Sequence, residues 1–154
     1  MISNPTYSLL IKYLPIEIWK AAEKQASRSV FRLFKTGAVI TDGRNILSKG
    51  CSHARDVPVR NMHAEQHSLM NVYDASGLTC VIVTLNKSNN WSYSSKPCAR
   101  CSHLLNRAGV ETVIYAERDN VGEWTINMEK VVDLVKRTNP ISIQAPYAKL
   151  MRVA

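Results

Sequence analysis

Thr79-Cys80-Val81-Ile82-Val83-Thr84-Leu85-Asn86 is a nearly unbroken apolar run rich in β-branched residues. A run of this length and composition reads as a strand in the middle of a sheet, with both faces covered. Its flanks say what covers it. Upstream, residues 63–75 carry a helical pattern that stops at Ser76-Gly77. Downstream, the polar stretch 87–96 is a loop, Pro97 suits the first turn of a helix, and residues 98–108 form that helix up to Gly109. A buried strand between two helices predicts a layered α/β fold.

The pattern continues outward. Residues 37–42 and 46–52 read as two strands joined by the turn Asp42-Gly43-Arg44-Asn45, a hairpin. Before them, Trp19, Ala22, Ala26, Val30 and Leu33 recur at spacings of three and four, which predicts an amphipathic helix over 16–35. Residues 53–62 are polar, contain Pro58, and read as a loop. After the second helix, 112–117 and 123–127 read as strands and 128–138 as a helix. The turn at 119–122 is too short for a crossover, so the last two strands should be antiparallel neighbours. The expectation is one α/β domain over 1–154, its core about 16–137, with a five-stranded mixed sheet. Residues 5–14 and the tail from Pro140 receive no assignment.

Composition excludes several classes. The chain has 154 residues, 45% of them hydrophobic, enough for a core without disulfide staples. No apolar run approaches the roughly 20 residues needed to span a bilayer. The first residues lack a basic leader and a small-residue cleavage site, so the expected location is cytoplasmic, with no membrane partner. Of four cysteines, Cys51 and Cys80 read as buried thiols in strands. Cys98 and Cys101 form a C-x-x-C at a helix start, which in a chain of this kind points to metal or redox chemistry. The formal charge is +8, and Arg28, Arg32, Lys35, Arg44, Lys49, Arg55 and Arg60 all fall between positions 28 and 60. That asymmetry suits a phosphorylated or polyanionic ligand, or simply a solvated basic surface.

Two fragments carry the chemistry, His63-Ala64-Glu65 opening one helix and Pro97-Cys98-Ala99-Arg100-Cys101 opening another. Together they match H-x-E…P-C-x-x-C, the signature of zinc deaminases acting on bases. Zinc favours imidazole and thiolate, and a catalytic site keeps its fourth position for water. His63, Cys98 and Cys101 are therefore the expected Zn²⁺ ligands. Cys98 and Cys101 share a helix face and a first turn, where free N–H groups favour thiolate. Glu65 is the expected proton shuttle, between zinc-activated water and the base. Periodicity does not place His63 and Glu65 together, since residues i and i+2 of a helix point apart. They converge only if the helix end projects into the site. HAEQH is not H-E-x-x-H, so a metalloprotease register fails, and His67 reads as a core or supporting residue. A structural zinc knuckle fails for want of a fourth ligand, and a thioredoxin-type role leaves His63 and Glu65 unexplained.

By these motifs and the order of elements over roughly 16–137, the chain resembles the cytidine deaminase-like superfamily. That superfamily includes cytidine and deoxycytidylate deaminases, tRNA adenosine deaminases and polynucleotide cytidine deaminases. The stretch from Ser95 through Cys101, with residues 109–124, looks especially like small viral and phage deaminase-like proteins. The resemblance implies a three-layer α/β/α fold with zinc between two helix N-termini. It also implies that the backbone N–H groups of Ala64 and Cys98 polarise the reacting base. A homo-oligomer is expected on the resemblance alone.

The substrate is less legible. Relatives close their second strand with an asparagine that this chain lacks; Gly50-Cys51-Ser52-His53 stands there, leaving Ser52 or Asn61 as substitutes and His53 as a further contact. Trp91 and Tyr93 lie in the loop that lines the pocket mouth in the family, where a base stacks on an aromatic ring or the ring packs the loop. The antiparallel end hairpin resembles the cytidine side of the family. The expected reaction is hydrolytic deamination of a cytosine base, as a nucleoside or its monophosphate, to uracil and ammonia. The alternatives are action on single-stranded DNA or RNA, and a zinc-containing binding module without turnover.

Overall fold

The computed structural model describes residues 4–31, 33–54 and 61–137, apart from the side chains of Ala54 and Asn61. Arg32, the loop residues Arg55, Asp56, Pro58 and Arg60, and the tail from Pro140 lie outside the described residues. The elements in chain order are α1 (Tyr7–Leu10), α2 (Ile16–Ser27), β1 (Lys35–Thr41), β2 (Ile46–Cys51), β3 (His53–Ala54), β4 (Asn61–Met62) and α3 (Ala64–Met70). They continue with β5 (Thr79–Leu85), α4 (Ala99–Arg107), β6 (Thr112–Arg118), β7 (Trp124–Lys130) and α5 (Val131–Lys136).

Five strands form one sheet in the order β2-β1-β5-β6-β7, with the apolar run β5 at its centre, as its composition requires. β1 pairs antiparallel with both β2 and β5. β5 and β6 are parallel, joined through α4, and β6 and β7 are antiparallel across the Asp119 turn. The mixed sheet with its antiparallel last pair, expected from the short turn, is present.

Alternation along the strands divides the core in two. Val39, Val81, Val83, Ile114 and Ala116 face α1 and α2, where they meet Ile18, Trp19, Ala22 and Ala26. Ala38, Ile40, Cys80, Ile82, Val113 and Tyr115 face the other way and pack with Ala64, Leu105, Val131 and Leu134 of α3, α4 and α5. Two independent apolar layers on one sheet are the physical content of the three-layer arrangement. Each large side chain buried in them contributes about 1.5–3 kcal/mol.

Several boundaries differ from the sequence expectation. α2 ends at Ser27, not 35, and Val30 and Leu33 are 69% and 64% exposed. Their spacing is helical, but Ser29 turns the chain away. Its hydroxyl bonds to that of Ser52 at 2.8 Å and accepts the Phe31 N–H. α3 stops at Met70, where the Asn71 side chain caps the His67 carbonyl and reaches Lys49. β7 runs on to Lys130, because Met128, Glu129 and Lys130 still pair with β6. The expected loop 53–62 contains a short ladder, His53 opposite Met62 and Ala54 opposite Asn61.

Gly37 sets the distance between α2 and the sheet. A Cβ there would lie 2.1 Å from the Ala22 carbonyl oxygen and 2.3 Å from the Ala26 nitrogen, both backbone atoms that cannot swing aside. Gly37→Ala should therefore lower stability by ~2–3 kcal/mol through overpacking, read as a fall in the urea midpoint. A wild-type midpoint would show that α2 can lift off β1 without cost.

Candidate active site

His63 and Cys98 do not belong to their helices. Each is the N-cap residue, in extended conformation (φ −78°, ψ 150° and φ −68°, ψ 166°), and the helical turns begin at Ala64 and Ala99. This resolves the i and i+2 difficulty. The rotation of 100° per residue applies only inside a helix, so His63, one residue outside α3, can turn towards the same point as Glu65 in its first turn. The caps of α3 and α4 meet there, on the sheet face that both helices cover.

At that point the His63 Nδ1 lies 3.6 Å from Cys98 Sγ and 3.3 Å from Cys101 Sγ. The three donor atoms fall within 4.8 Å of one another. Zinc bonds of ~2.3 Å to sulfur and ~2.05 Å to nitrogen give a tetrahedral S···N edge of about 3.6 Å. The observed spacings fit that edge, so the donor set suits the ion without rearrangement of the backbone. Cys101 is buried and Cys98 exposed, so one side of the set opens outward.

The electrostatics set the three groups apart. The Cys98 thiol is pulled down to about 4, first by the hydrogen bond from the Cys101 thiol and then by His63. The Cys101 N–H also bonds to Cys98 Sγ at 3.4 Å. Cys101 is pushed well up as the partner that keeps its proton, and by burial. His63 is raised, chiefly by its bond to Cys98. Without an ion the three groups thus share protons that a metal must displace. Glu65, 4% exposed, is raised by burial, which disfavours its charged form.

A cavity of about 640 Å³ opens beside these residues. His63, Glu65 and Cys98 line it, with Ile82 and Thr84 of β5, Thr36 of β1, and Ser94, Ser95 and Lys96 of the loop before Pro97. Its polar fittings are fixed. Thr36 and Thr84 hydroxyls bond to each other at 3.1 Å, and Ser95 Oγ accepts the Thr84 N–H at 2.9 Å.

The other expected site residues divide. Ala64 is fully buried at the start of α3, directly beside the site. Ser52 lines the cavity, but its hydroxyl already accepts the Thr36 N–H and pairs with Ser29. His53 lies outside the cavity lining, against the ring of His67. Asn61 pairs with Ala54 through the backbone. Trp91 is 4% exposed and packs between Trp19 and Trp124, on the opposite face of the sheet, with its Nε1–H donated to Glu23 at 2.6 Å. Tyr93 is 64% exposed and does not line the cavity. Sequence reasoning missed Phe31, Leu33 and Phe34, which form the apolar rim. Their exposure was hidden by the helical spacing of Val30 and Leu33. It also missed Lys96, the one Lys or Arg among the described residues lining the cavity.

Three metal-ligating side chains at two helix starts, a buried carboxylate and an adjoining cavity make a candidate metal centre on an α/β/α scaffold. Residues 15–117 match the sequence model for the cytidine and deoxycytidylate deaminase zinc-binding region, more than half of the chain, and the protein belongs to that family. The family match bears out the zinc expected from the sequence. Solved structures agree in fold. The apo dCMP deaminase of cyanophage S-TIM5 is 18% identical with a TM-score of 0.51, covering 86% of this chain and 94% of that one. Cytidine deaminase from Burkholderia pseudomallei is 16% identical with a TM-score of 0.60, covering 80% and 98%. That of Mycobacterium tuberculosis is 18% identical with a TM-score of 0.53, covering 80% and 94%. No curated protein sequence matches. No helix among the described residues is long and apolar enough to cross a membrane.

Because imidazole and thiolates bind metal only when deprotonated, zinc affinity should fall as pH falls. We expect zinc to stay bound at pH 8 and to be released progressively to a colorimetric chelator as the pH is lowered. His63→Ala should lose it already at pH 8. Release independent of pH, or a zinc-replete His63→Ala protein at that pH, would contradict this ligand set.

Proposed function

We propose that this protein hydrolytically deaminates a cytosine base carried by a nucleoside or nucleoside monophosphate, giving uracil and ammonia. The observation that carries the reading is the buried Glu65 carboxylate in the same cavity wall as His63 and Cys98, whose donor atoms cluster with that of Cys101. Zinc held by those three residues would supply a Lewis acid that lets water ionise near neutral pH. Glu65 takes the proton that water gives up on attack at the amino-bearing carbon. It passes that proton to the ring nitrogen, then takes the second proton from the attacking oxygen and gives it to the departing amine, so that both hydrogens of the water are used. Burial lifts its pKa towards the working pH, which suits a group that must both accept and donate. The first N–H groups of α3 and α4, at Ala64 and beyond Cys98, have no carbonyl within their helices to bond and favour negative charge developing on the base.

Lys96 supports a phosphorylated substrate. It is the one Lys or Arg among the described residues lining the cavity, on the loop just before the second motif. Lys96→Ala should raise KM for deoxycytidine monophosphate about tenfold, the factor given by ~1.4 kcal/mol, and leave KM for deoxycytidine unchanged. Equal effects on both substrates would remove the phosphate role.

A second reading, a single-stranded nucleic acid substrate, draws on the rim. Leu33 and Phe34 are 64% and 67% exposed at the cavity mouth, where a neighbouring base could stack, and the chain carries a charge of +8. Ammonia release from cytidine, deoxycytidine, their monophosphates, single-stranded DNA and single-stranded RNA separates the two readings. We expect turnover of the small substrates; turnover of polymers alone would overturn that choice. Glu65→Gln should keep zinc and lose at least about 10²-fold in kcat, the usual worth of a positioned acid–base group. Undiminished activity would remove Glu65 from the mechanism, and a zinc-loaded wild type inert on every substrate would favour a binding module.

A further inference from the structure

A second cluster of metal-ligating side chains lies outside the cavity. Cys51 ends β2, His53 begins β3 and His67 sits on α3, one turn beyond His63. Their donor atoms lie within 4.8 Å of one another, and all three side chains are half-buried. The two rings meet edge to face, with centroids 4.7 Å apart. What brings them together is Gly50. A Cβ there would lie 2.4 Å from the Ser68 nitrogen and 2.7 Å from the Ala64 carbonyl, so the backbone of α3 rests directly on β2. Ser48 fastens the same contact through a bond from its hydroxyl to the Ser68 carbonyl.

We propose that Cys51, His53 and His67 form a second binding site for a divalent transition-metal ion of the zinc class. One thiolate with two imidazoles is a borderline-soft set that suits zinc and not calcium or magnesium. His53 is already oriented as a ligand. Its Nδ1 lies 2.9 Å from the Cys51 carbonyl oxygen, and since a carbonyl only accepts, Nδ1 carries the proton and Nε2 presents a lone pair. This is the backbone anchoring that fixes the tautomer of metal-bound histidines. His67 accepts the Cys51 N–H at Nδ1, 3.0 Å away, and exchanges that bond for the metal. Burial, the larger cause, and the neighbouring His53 hold its pKa down. At Cys51, burial raises the thiol pKa and the Arg28 charge acts the other way, towards thiolate. Closing 4.8 Å to a tetrahedral edge needs a contraction of at most ~1.5 Å, within reach of histidine side-chain rotation.

The site has a consequence for the cavity. Ser52, between two of its ligands, lines the cavity wall, and His67 shares its short helix with Glu65. An ion here ties the end of β2, the start of β3 and α3 into one unit, fixing the segment that carries the proton shuttle.

The test is a metal count. The purified holoprotein is titrated with Zn²⁺ against a chromophoric competing chelator. Two equivalents per chain are expected for the wild type. One is expected for Cys51→Ser and for His53→Ala, the tighter equivalent remaining. A single equivalent in the wild type, or a second equivalent that persists in both variants, overturns the proposal. A measurement on the unaltered protein covers the case in which a variant fails to fold. Added Zn²⁺ should slow alkylation of Cys51, followed by peptide-resolved mass spectrometry, at least tenfold. Equal rates with and without zinc overturn the proposal equally.

Discussion

The convergence of two helix N-caps is the constraint on which the site depends. His63 and Cys98 each stop being strand-like or loop-like where a helix starts, and the two starts meet on one face of the sheet. Neither helix is long, seven residues for α3 and nine for α4, and isolated helices of that length are not stable in water. They hold because Ala64 and Leu105 are fully buried against Ala38, Ile40, Cys80 and Ile82. The apolar run of β5 therefore does more than fill the middle of the sheet. It fixes where the two caps lie, and with them the 3.3 Å and 3.6 Å spacings between imidazole and thiols.

The same packing sets the electrostatics. Burial alone would keep Glu65 and both thiols protonated. Cys98 escapes because Cys101 and His63 donate to it, whereas Glu65 and Cys101 do not. Hydrogen bonding thus favours thiolate at Cys98, on the exposed side of the cluster. Glu65, the one carboxylate among the described residues lining the cavity, is shifted upward by burial. The opposite shifts of Cys98 and Glu65 come from hydrogen bonding at the one and burial at the other.

Much of this was legible in the sequence. The β5 run, the hairpin before it, the antiparallel end pair and the two motif-bearing helix starts were readable because each rests on local composition or spacing. What was not readable rests on contacts distant in the chain. The helical spacing of Val30 and Leu33 suggested a longer α2, but Ser29 is drawn aside by Ser52, 23 residues on. Trp91 lay in the right loop for a stacking role, yet its indole N–H goes to Glu23 and its ring joins Trp19 and Trp124. His53 and His67 appeared unrelated until Gly50 allowed α3 to settle on β2. One-dimensional patterns report which face a residue occupies, not which partner from elsewhere in the chain competes for it.

Zinc K-edge X-ray absorption on protein holding one zinc per chain tests the proposed centre most directly. His63, Cys98 and Cys101 with an open fourth position give two sulfur scatterers at about 2.3 Å and two lighter atoms at about 2.0–2.1 Å. A shell with one sulfur and two imidazoles would put the tightly held ion on Cys51, His53 and His67 instead, and would contradict the assignment of the two helix caps as the catalytic metal site.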